Sequence, residues 1–333
     1  MAFETLLSIA RPLAFAKGER LVRQGEPTRG AFLVREGRVE ARVAVPGGDS
    51  FAVATLGEGD LFGEMALLER GVCSASVVAL TNVTAAFVER DDFRALVASR
   101  DRAALGVQRE ITQLLAAKLR ALNAKVREHA ADEDRAPRDA LPQRIDLSGA
   151  PSPAFDWRAF LPLLRFFEGF DAYEIEELAA VSRAIELPRG AWLFAPGERA
   201  ESCFVVVRGA VEVVSRLGEL ERRVVLAGPG ELVGYLAVLH GAHHAAGARV
   251  REKAALLEVP AVRFRSLYES SSGTAVRLQR AIHTSLLRSI ARTNTQLTRL
   301  ISAARLRGAH AEGRALEAAR GSQIVDLVEK PNG

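Results

Sequence analysis

Cysteine is scarce in this chain of 333 residues, which contains only Cys73 and Cys203. The two lie at non-equivalent places of the repeat described below, so the sequence predicts neither a disulfide framework nor a cysteine-based zinc site. Long apolar runs are missing as well, because no stretch approaches the roughly 20 residues that cross a bilayer. The first residues, MAFETLLSIARPLAF, lack the basic start of a signal peptide and carry Glu4 and Arg11 in a short apolar segment. We therefore expect a cytoplasmic protein without a membrane span.

Arrangements that indicate catalysis are also missing. The sequence contains no Ser/His/Asp set, no paired carboxylates and no P-loop, so we expect no enzymatic activity. Acidic residues are absent from residues 274–310, which carry seven arginines: Arg277, Arg280, Arg288, Arg292, Arg299, Arg305 and Arg307. This stretch could attract nucleic acid or an acidic partner. A solvated helix face is the favoured interpretation and nucleic acid is an unlikely partner, because no nucleic-acid-reading module accompanies the stretch.

Landmark residues repeat along the chain at a nearly constant spacing. At an offset of 172, Gly18, Gly25, Phe32 and Gly37 match Gly190, Gly197, Phe204 and Gly209. At an offset of 171, Gly63, Ala66 and Phe93 match Gly234, Ala237 and Phe264. So many matches indicate an internal duplication. We predict a first domain over residues 1–127, a linker rich in charge, Pro and Gly over 128–154, a second domain over 155–306 and a tail over 307–333.

Each repeat combines short β-branched runs, punctuated by glycine turns, with a closing helix. The runs favour an antiparallel sandwich or roll, so the predicted fold class is mainly β with α, with a long C-terminal helix closing each of two tandem units. Apolar residues recur at helical spacing in both helices: Ile111, Leu115, Leu119 and Val126, then Ile282, Leu286, Ile290 and Leu297. This stripe suits a helix-to-helix seam, within the chain or across a homodimer, or packing of each helix on its own roll.

The stretch over residues 59–78, GDLFGEMALLERGVCSASVV, joins a glycine turn to a short apolar helix and then to a strand. Successive backbone N–H groups can converge on an anion in such a turn, which makes a phosphate cradle plausible. Residues 230–248 repeat the pattern.

These features carry a family resemblance. Gly18, Gly25 and Gly37, followed by GDLFGEMALL at residues 59–68, resemble the cyclic nucleotide-binding domains of the catabolite activator and of the protein kinase A regulatory subunit. The resemblance covers about residues 15–127 and 160–300. It implies two tandem β-rolls of the double-stranded β-helix or jelly-roll type, each with a phosphate-binding cassette. In that cassette a glutamate accepts a hydrogen bond from the ribose 2′-hydroxyl and an arginine pairs with the cyclic phosphate.

In the first repeat the resemblance implies a partly altered ligand site. Glu64 matches the glutamate, but Cys73 stands at the arginine position, which should lower affinity about ten- to a hundredfold. Arg70 is a possible substitute, although a solvent-facing arginine is favoured. The site predicted for cyclic AMP or cyclic GMP comprises Gly63, Glu64, Met65, Ala66, Cys73, Ser74, Ser76 and, on the closing helix, Asn123. We expect no other cofactor.

The second site departs further from the family pattern. Gly234 is retained, but Tyr235 replaces the glutamate and His244 the arginine, with Asn294 at the base-capping position. Neither replacement suits a cyclic nucleotide. His240, His243 and His244 could share a helix face and hold a metal, but no acid or cysteine completes the set nearby, so no metal site is predicted.

The expected function is regulatory. The family's transcription factors need a helix-turn-helix after the closing helix, and only about thirty residues follow Leu300. We expect a sensor that binds a nucleotide in its first domain and signals to an unknown partner protein through its closing helices. The alternative is a ligand-free scaffold, favoured by Cys73, Tyr235 and His244.

Overall fold

A computed structural model describes residues 3–44, 50–68, 72–98, 102–129, 136–137, 145–217 and 220–328. The first repeat contains, in order, α1 (Glu4–Leu7), β1 (Arg11–Phe15), β2 (Arg20–Val22), β3 (Gly30–Glu36), β4 (Val39–Ala44), β5 (Ser50–Leu56), β6 (Leu61–Phe62), α2 (Met65–Leu68), β7 (Ser76–Ala79), β8 (Val83–Glu89), α3 (Arg90–Ala98) and α4 (Arg102–His129).

The first repeat is a β-roll of two antiparallel four-stranded sheets. Their strand orders are β1-β8-β3-β6 and β2-β7-β4-β5. Apolar side chains from both sheets fill the space between them, where Phe32 stacks on Phe62 with ring centroids 5.0 Å apart and Phe87 tilts against it at 4.8 Å. All three rings belong to the first sheet, and they share one buried cluster with Val39, Val77 and Ala79 of the second sheet, which holds the two sheets together.

The second repeat follows β9 (Ala136–Pro137), a short strand inside the predicted linker. It contains 3-10 helices at Arg158–Leu163 and Arg165–Phe167, then α5 (Ala172–Ala180), β10 (Arg183–Leu187), β11 (Trp192–Phe194), β12 (Ser202–Leu217), β13 (Leu220–Ala227), β14 (Leu232–Val233), α6 (Tyr235–His240), β15 (Gly247–Pro260), α7 (Ala261–Glu269) and α8 (Gly273–Val328).

Two long strands organise the second roll. β12 covers the positions of β3 and β4 in one strand, and β15 covers those of β7 and β8. Register shifts interrupt their pairing between Val206 and Val211, where the ladder is irregular as at a β-bulge, a feature that bends strands. The prediction of two tandem β-rolls with closing helices is confirmed.

The two closing helices pack against each other within the chain. Both apolar stripes are buried in one cluster: Ile111, Leu115, Leu119 and Val126 of α4 with Ile282, Leu286, Ile290 and Leu297 of α8. Thr112 hydrogen-bonds to the ring Nε2 of His283, its counterpart at an offset of 171. Contact between equivalent positions is typical of a two-fold arrangement, so the repeats form a pseudo-dimer.

Helix α8 runs past the predicted end of the second domain. It continues to Val328, so residues 307–328 of the predicted tail lie in the same helix as the seam. Across the part of the chain that the structure describes, no helix is long and apolar enough to span a membrane.

Candidate functional site

The first cassette turn is built around a glycine in the left-handed region. Gly63 has a φ of +73°, a conformation that strains any other residue, and a Cβ there would press against the carbonyl oxygen of Gly30 in β3 at 3.1 Å. The Ala66 N–H donates to the Gly63 carbonyl at 2.9 Å, and the Leu67 N–H to the Glu64 carbonyl at 3.1 Å. These bonds fold the chain into α2 and engage the N–H of Ala66, a residue of the predicted site.

A cavity of about 650 Å³ opens beside this turn. One wall is the apolar surface of the roll, another is the cassette, and the lid comes from both closing helices. Its lining includes Ala41, Val43 and Val53 from the roll, Gly63, Glu64, Met65, Ala66, Cys73 and Ser74 from the cassette, Lys118 and Leu122 from α4, and Arg288 and Asn294 from α8. Six of the eight predicted first-site residues therefore share one cavity.

Glu64 is the buried acidic group of this cavity. Its side chain is 1% exposed, and its Oε1 accepts a hydrogen bond from the Lys118 ammonium at 3.0 Å. The Lys118 side chain is 40% exposed, so the pair lies at the edge of the cavity, with the carboxylate inside. An ionised carboxylate accepts at both oxygens, so one lysine contact leaves capacity for a ligand hydroxyl.

Cys73 lines the cavity but supplies no positive charge. Burial raises the pKa of its thiol, and the nearby Glu26 carboxylate raises it further, so the thiol is neutral at pH 7. Backbone bonds hold it in place: its N–H donates to the Glu26 carbonyl at 2.8 Å, and its carbonyl accepts from Gly25 at 2.9 Å. Ser76 accepts from the Gln24 N–H at 3.0 Å and is not among the lining residues. Arg70 lies outside the described residues.

Three cationic side chains line the same cavity, those of Lys118, Lys125 and Arg288. Lys118 binds Glu64, and the Lys125 ammonium donates to the Val53 carbonyl at 2.9 Å. Arg288 reaches the cavity from α8 and forms no ion pair with the residues that the structure describes. The lid therefore carries positive charge that the Cys73 position lacks.

The two predicted capping asparagines lie elsewhere than expected. Asn294, assigned from the sequence to the second site, lines the first cavity, because α8 crosses over to the first roll. Asn123 is not among the lining residues, and its Oδ1 accepts from the Thr293 hydroxyl at 3.4 Å in the helix seam. The sequence offered one signal for this arrangement, the equal spacing of the two apolar stripes. Equal spacing indicates that the two helices pair, and paired helices can each reach the other's roll.

Side chains fill the space of the second cassette. Gly234 has a φ of +81°, and a Cβ there would lie 2.9 Å from the ring of Phe194. That ring stacks on buried His244 with centroids 3.6 Å apart and planes 10° from parallel. Burial, and then the neighbouring His243, lowers the pKa of His244 to about 4, so its imidazole is neutral at pH 7. The position that would carry the phosphate-binding arginine is part of the core.

Tyr235 is also part of the packed interior. It is 6% exposed, and burial raises the pKa of its hydroxyl well above the usual value. The hydroxyl faces Ser289, which occupies the position in the second repeat that Lys118 occupies in the first, but the two do not form a hydrogen bond. His240 and His243 do not form a metal site with His244: among the residues in the described ranges, no three His, Cys, Asp or Glu side chains cluster closely enough to hold a metal.

Comparison with known proteins agrees with this architecture. The model of the cyclic nucleotide-binding domain matches residues 12–100 and 184–271, which together make up more than half of the chain. A CRP-like cAMP-activated global transcriptional regulator of Mycobacterium tuberculosis is 26% identical over 122 residues, covering 37% of this chain and 53% of that protein. Glutaminase 1 of Bradyrhizobium diazoefficiens is 38% identical over 112 residues, covering 34% of this chain and 18% of that protein.

Among solved structures, the regulatory domain of Toxoplasma gondii PKA with cAMP aligns over 81% of this chain and 85% of that chain, at 18% identity and a TM-score of 0.32. The chain spans about half the length, or less, of the curated relatives it matches. The two matched segments coincide with the two rolls and their cassettes. This chain belongs to the cyclic nucleotide-binding domain family and carries two such domains in tandem.

Proposed function

We propose that this protein is a cytoplasmic, non-enzymatic regulatory sensor whose first cavity binds a cyclic nucleotide, cyclic AMP or cyclic GMP, or a related nucleotide. The observation that carries the proposal is the position of Glu64. It lies, buried, in the wall of a cavity of about 650 Å³ that helices of both repeats close. A nucleotide bound there would reach Glu64 with its ribose and the lid with its base.

The lid supports this proposal by supplying positive charge. A cyclic phosphate in this cavity has no arginine at Cys73, but it can meet Lys118 or Arg288. Each charge-assisted hydrogen bond contributes about 1.5 to 3 kcal/mol. We expect affinity below that of a domain with the family arginine, because a lysine lacks the bidentate geometry of a guanidinium.

The relatives are consistent with a nucleotide ligand. The mycobacterial relative is described as cAMP-activated, and the relative from Thermus thermophilus, 35% identical over 91 residues, as a cyclic AMP receptor protein. The signal would pass through α8, because a ligand touching Arg288 or Asn294 changes the seam between α4 and α8. A partner protein that binds those helices would detect the change.

Isothermal titration calorimetry with cyclic AMP, cyclic GMP, cyclic dinucleotides and nucleosides tests the proposal. The decisive variant is Cys73→Arg, which restores the arginine and should tighten cyclic nucleotide binding ten- to a hundredfold. Val262→Arg, at a position on α7 that is 70% exposed and away from the cavity, is the charge-matched control and should change nothing. Absence of heat at millimolar ligand for both wild type and Cys73→Arg would overturn the proposal.

A second candidate function is a ligand-free scaffold. The second cassette is filled by Phe194 and His244, and Lys118 neutralises Glu64 without any ligand. A scaffold would co-purify with the same partner whether or not cyclic nucleotide is added. The sensor's capture of a partner, by contrast, should depend on the nucleotide.

A further inference from the structure

A second and larger cleft lies between the repeats. Its volume is about 960 Å³, and it is separate from the nucleotide cavity. Its walls come from α2, α3, α4, the 3-10 helix at Arg165–Phe167 and the first turns of α8. We call it the inter-repeat cleft, and neither the family motif nor the proposed function assigns it a role.

Five arginines converge on the inter-repeat cleft: Arg94, Arg165, Arg277, Arg280 and Arg288. Three come from the basic stretch of α8, at spacings that place them along one face of that helix. Among the described residues that line the cleft, two are acidic, Glu168 and Glu174. The convergence therefore leaves a net positive charge at one place on the protein.

The two acids neutralise only part of this charge. The Glu174 carboxylate accepts from the Asp171 N–H at 2.9 Å in the capping box of α5, and it lies 3.6 Å from the Nε of Arg277. No ion pair within the described ranges involves Arg94, Arg165 or Arg280. Like charges held together in one cleft repel, and a bound anion relieves that repulsion.

The floor of the cleft is apolar and carries one unsatisfied polar group. Phe93, Phe166 and Leu67 line this floor, and each is no more than 4% exposed. Gln108 is 5% exposed, and its side-chain oxygen has no hydrogen-bond partner in the described part of the chain. A buried amide without a partner is costly, and a ligand with an N–H group would satisfy it.

We propose that the inter-repeat cleft binds a nucleoside di- or triphosphate, with the phosphates on the arginines and the base on the floor beside Gln108. Guanidinium groups match phosphate oxygens bidentately, and the apolar floor suits a base. The site adjoins the nucleotide cavity: α2 presents Leu67 and Leu68 to the cleft but Met65 to the cavity, while Arg288 lines both. The proposal does not depend on cyclic nucleotide binding.

Titration calorimetry of the full chain with ATP, and separately with pyrophosphate, tests the proposal. The variant is Arg165→Gln with Arg280→Gln, two residues that line only the cleft. The control is Arg263→Gln with Arg299→Gln, two exposed arginines outside both sites that remove the same charge. We expect both probes to bind wild type, the cleft variant to lose ten- to a hundredfold in affinity, and the control to lose less than threefold.

Three results would overturn the proposal: no binding of either probe at millimolar concentration, equal losses in the cleft and control variants, or a loss of ATP affinity on Glu64→Gln comparable with that of the cleft variant. The last result would place ATP in the first cavity. Circular dichroism of each variant checks folding, and an ATP-induced rise in the melting temperature of wild type provides a readout that needs no variant.

Discussion

Removal of the Lys118 ammonium should destabilise the first repeat more than breaking an exposed ion pair would. In Lys118→Met the Glu64 carboxylate, 1% exposed, loses its ion-pair partner at 3.0 Å. Breaking a fully buried pair from one side costs about 3–5 kcal/mol. Because the Lys118 side chain is 40% exposed, water and salt screen part of this interaction. We therefore expect a loss of about 2 kcal/mol in the free energy of unfolding.

A double-mutant cycle by urea denaturation isolates the interaction. Glu64→Gln alone should cost about 1 kcal/mol, and the double variant should cost less than the sum of the single variants by about 1–1.5 kcal/mol. Arg158 and Glu176 provide the matched control, since their 3.3 Å pair has side chains 51% and 59% exposed. That control cycle should give less than about 0.5 kcal/mol and vanish in 1 M salt, whereas the Glu64 coupling should largely remain.

Additive effects of Lys118→Met and Glu64→Gln would refute this reasoning. A coupling energy within about 0.3 kcal/mol of zero would mean that the ammonium does not bind the carboxylate in solution. Glu64 would then be a buried acid without a neutralising partner, and the scaffold interpretation would lose one of its two supports.

Two further predictions concern the packed interior. Burial lowers the pKa of His283 from 6.5 to about 4, so between these pH values the unfolded chain binds the proton more readily than the folded chain. The free energy of unfolding therefore falls as pH drops from 6.5 to 4, and His283 contributes about 3 kcal/mol to this fall. His283→Gln should remove that part of the pH dependence in denaturation curves and leave a similar part from His244. Tyr235→Phe should lower the free energy of unfolding by less than about 0.5 kcal/mol, or raise it, because the buried hydroxyl has no hydrogen-bond partner among the described residues. The control Tyr173→Phe, at a residue 77% exposed, should leave the free energy of unfolding unchanged. A loss above about 1 kcal/mol for Tyr235→Phe alone would contradict this prediction, because it would mean that the hydroxyl is hydrogen-bonded.

The duplication and the cassettes could be predicted from local patterns. Gly63 and Gly234 both adopt positive φ, as their place in the motif implies, and Glu64 faces the predicted cavity. Such turns are encoded within a few residues, because only glycine tolerates the backbone conformation and the close approach. The degeneracy of the second site at Tyr235 and His244 was likewise visible in the residue types.

The position of Asn294 could not be predicted in the same way. Counting back from the end of the second closing helix assigned it to the second cassette, yet α8 carries it to the first cavity. A helical stripe specifies which face of a helix is apolar but not which roll that helix will close. The seam between α4 and α8 decides this, and it depends on contacts between residues about 171 positions apart.

The sequence by itself determined two tandem rolls, a retained acid at Glu64 and an altered phosphate position at Cys73, because these follow from periodicity and from residue types at motif positions. Only the tertiary structure decided that Lys118 meets Glu64, that Phe194 and His244 fill the second cassette and that scattered arginines form one cleft. The physical reason is distance along the chain: each of these contacts joins separate elements through packing, and local patterning carries no record of which elements will meet.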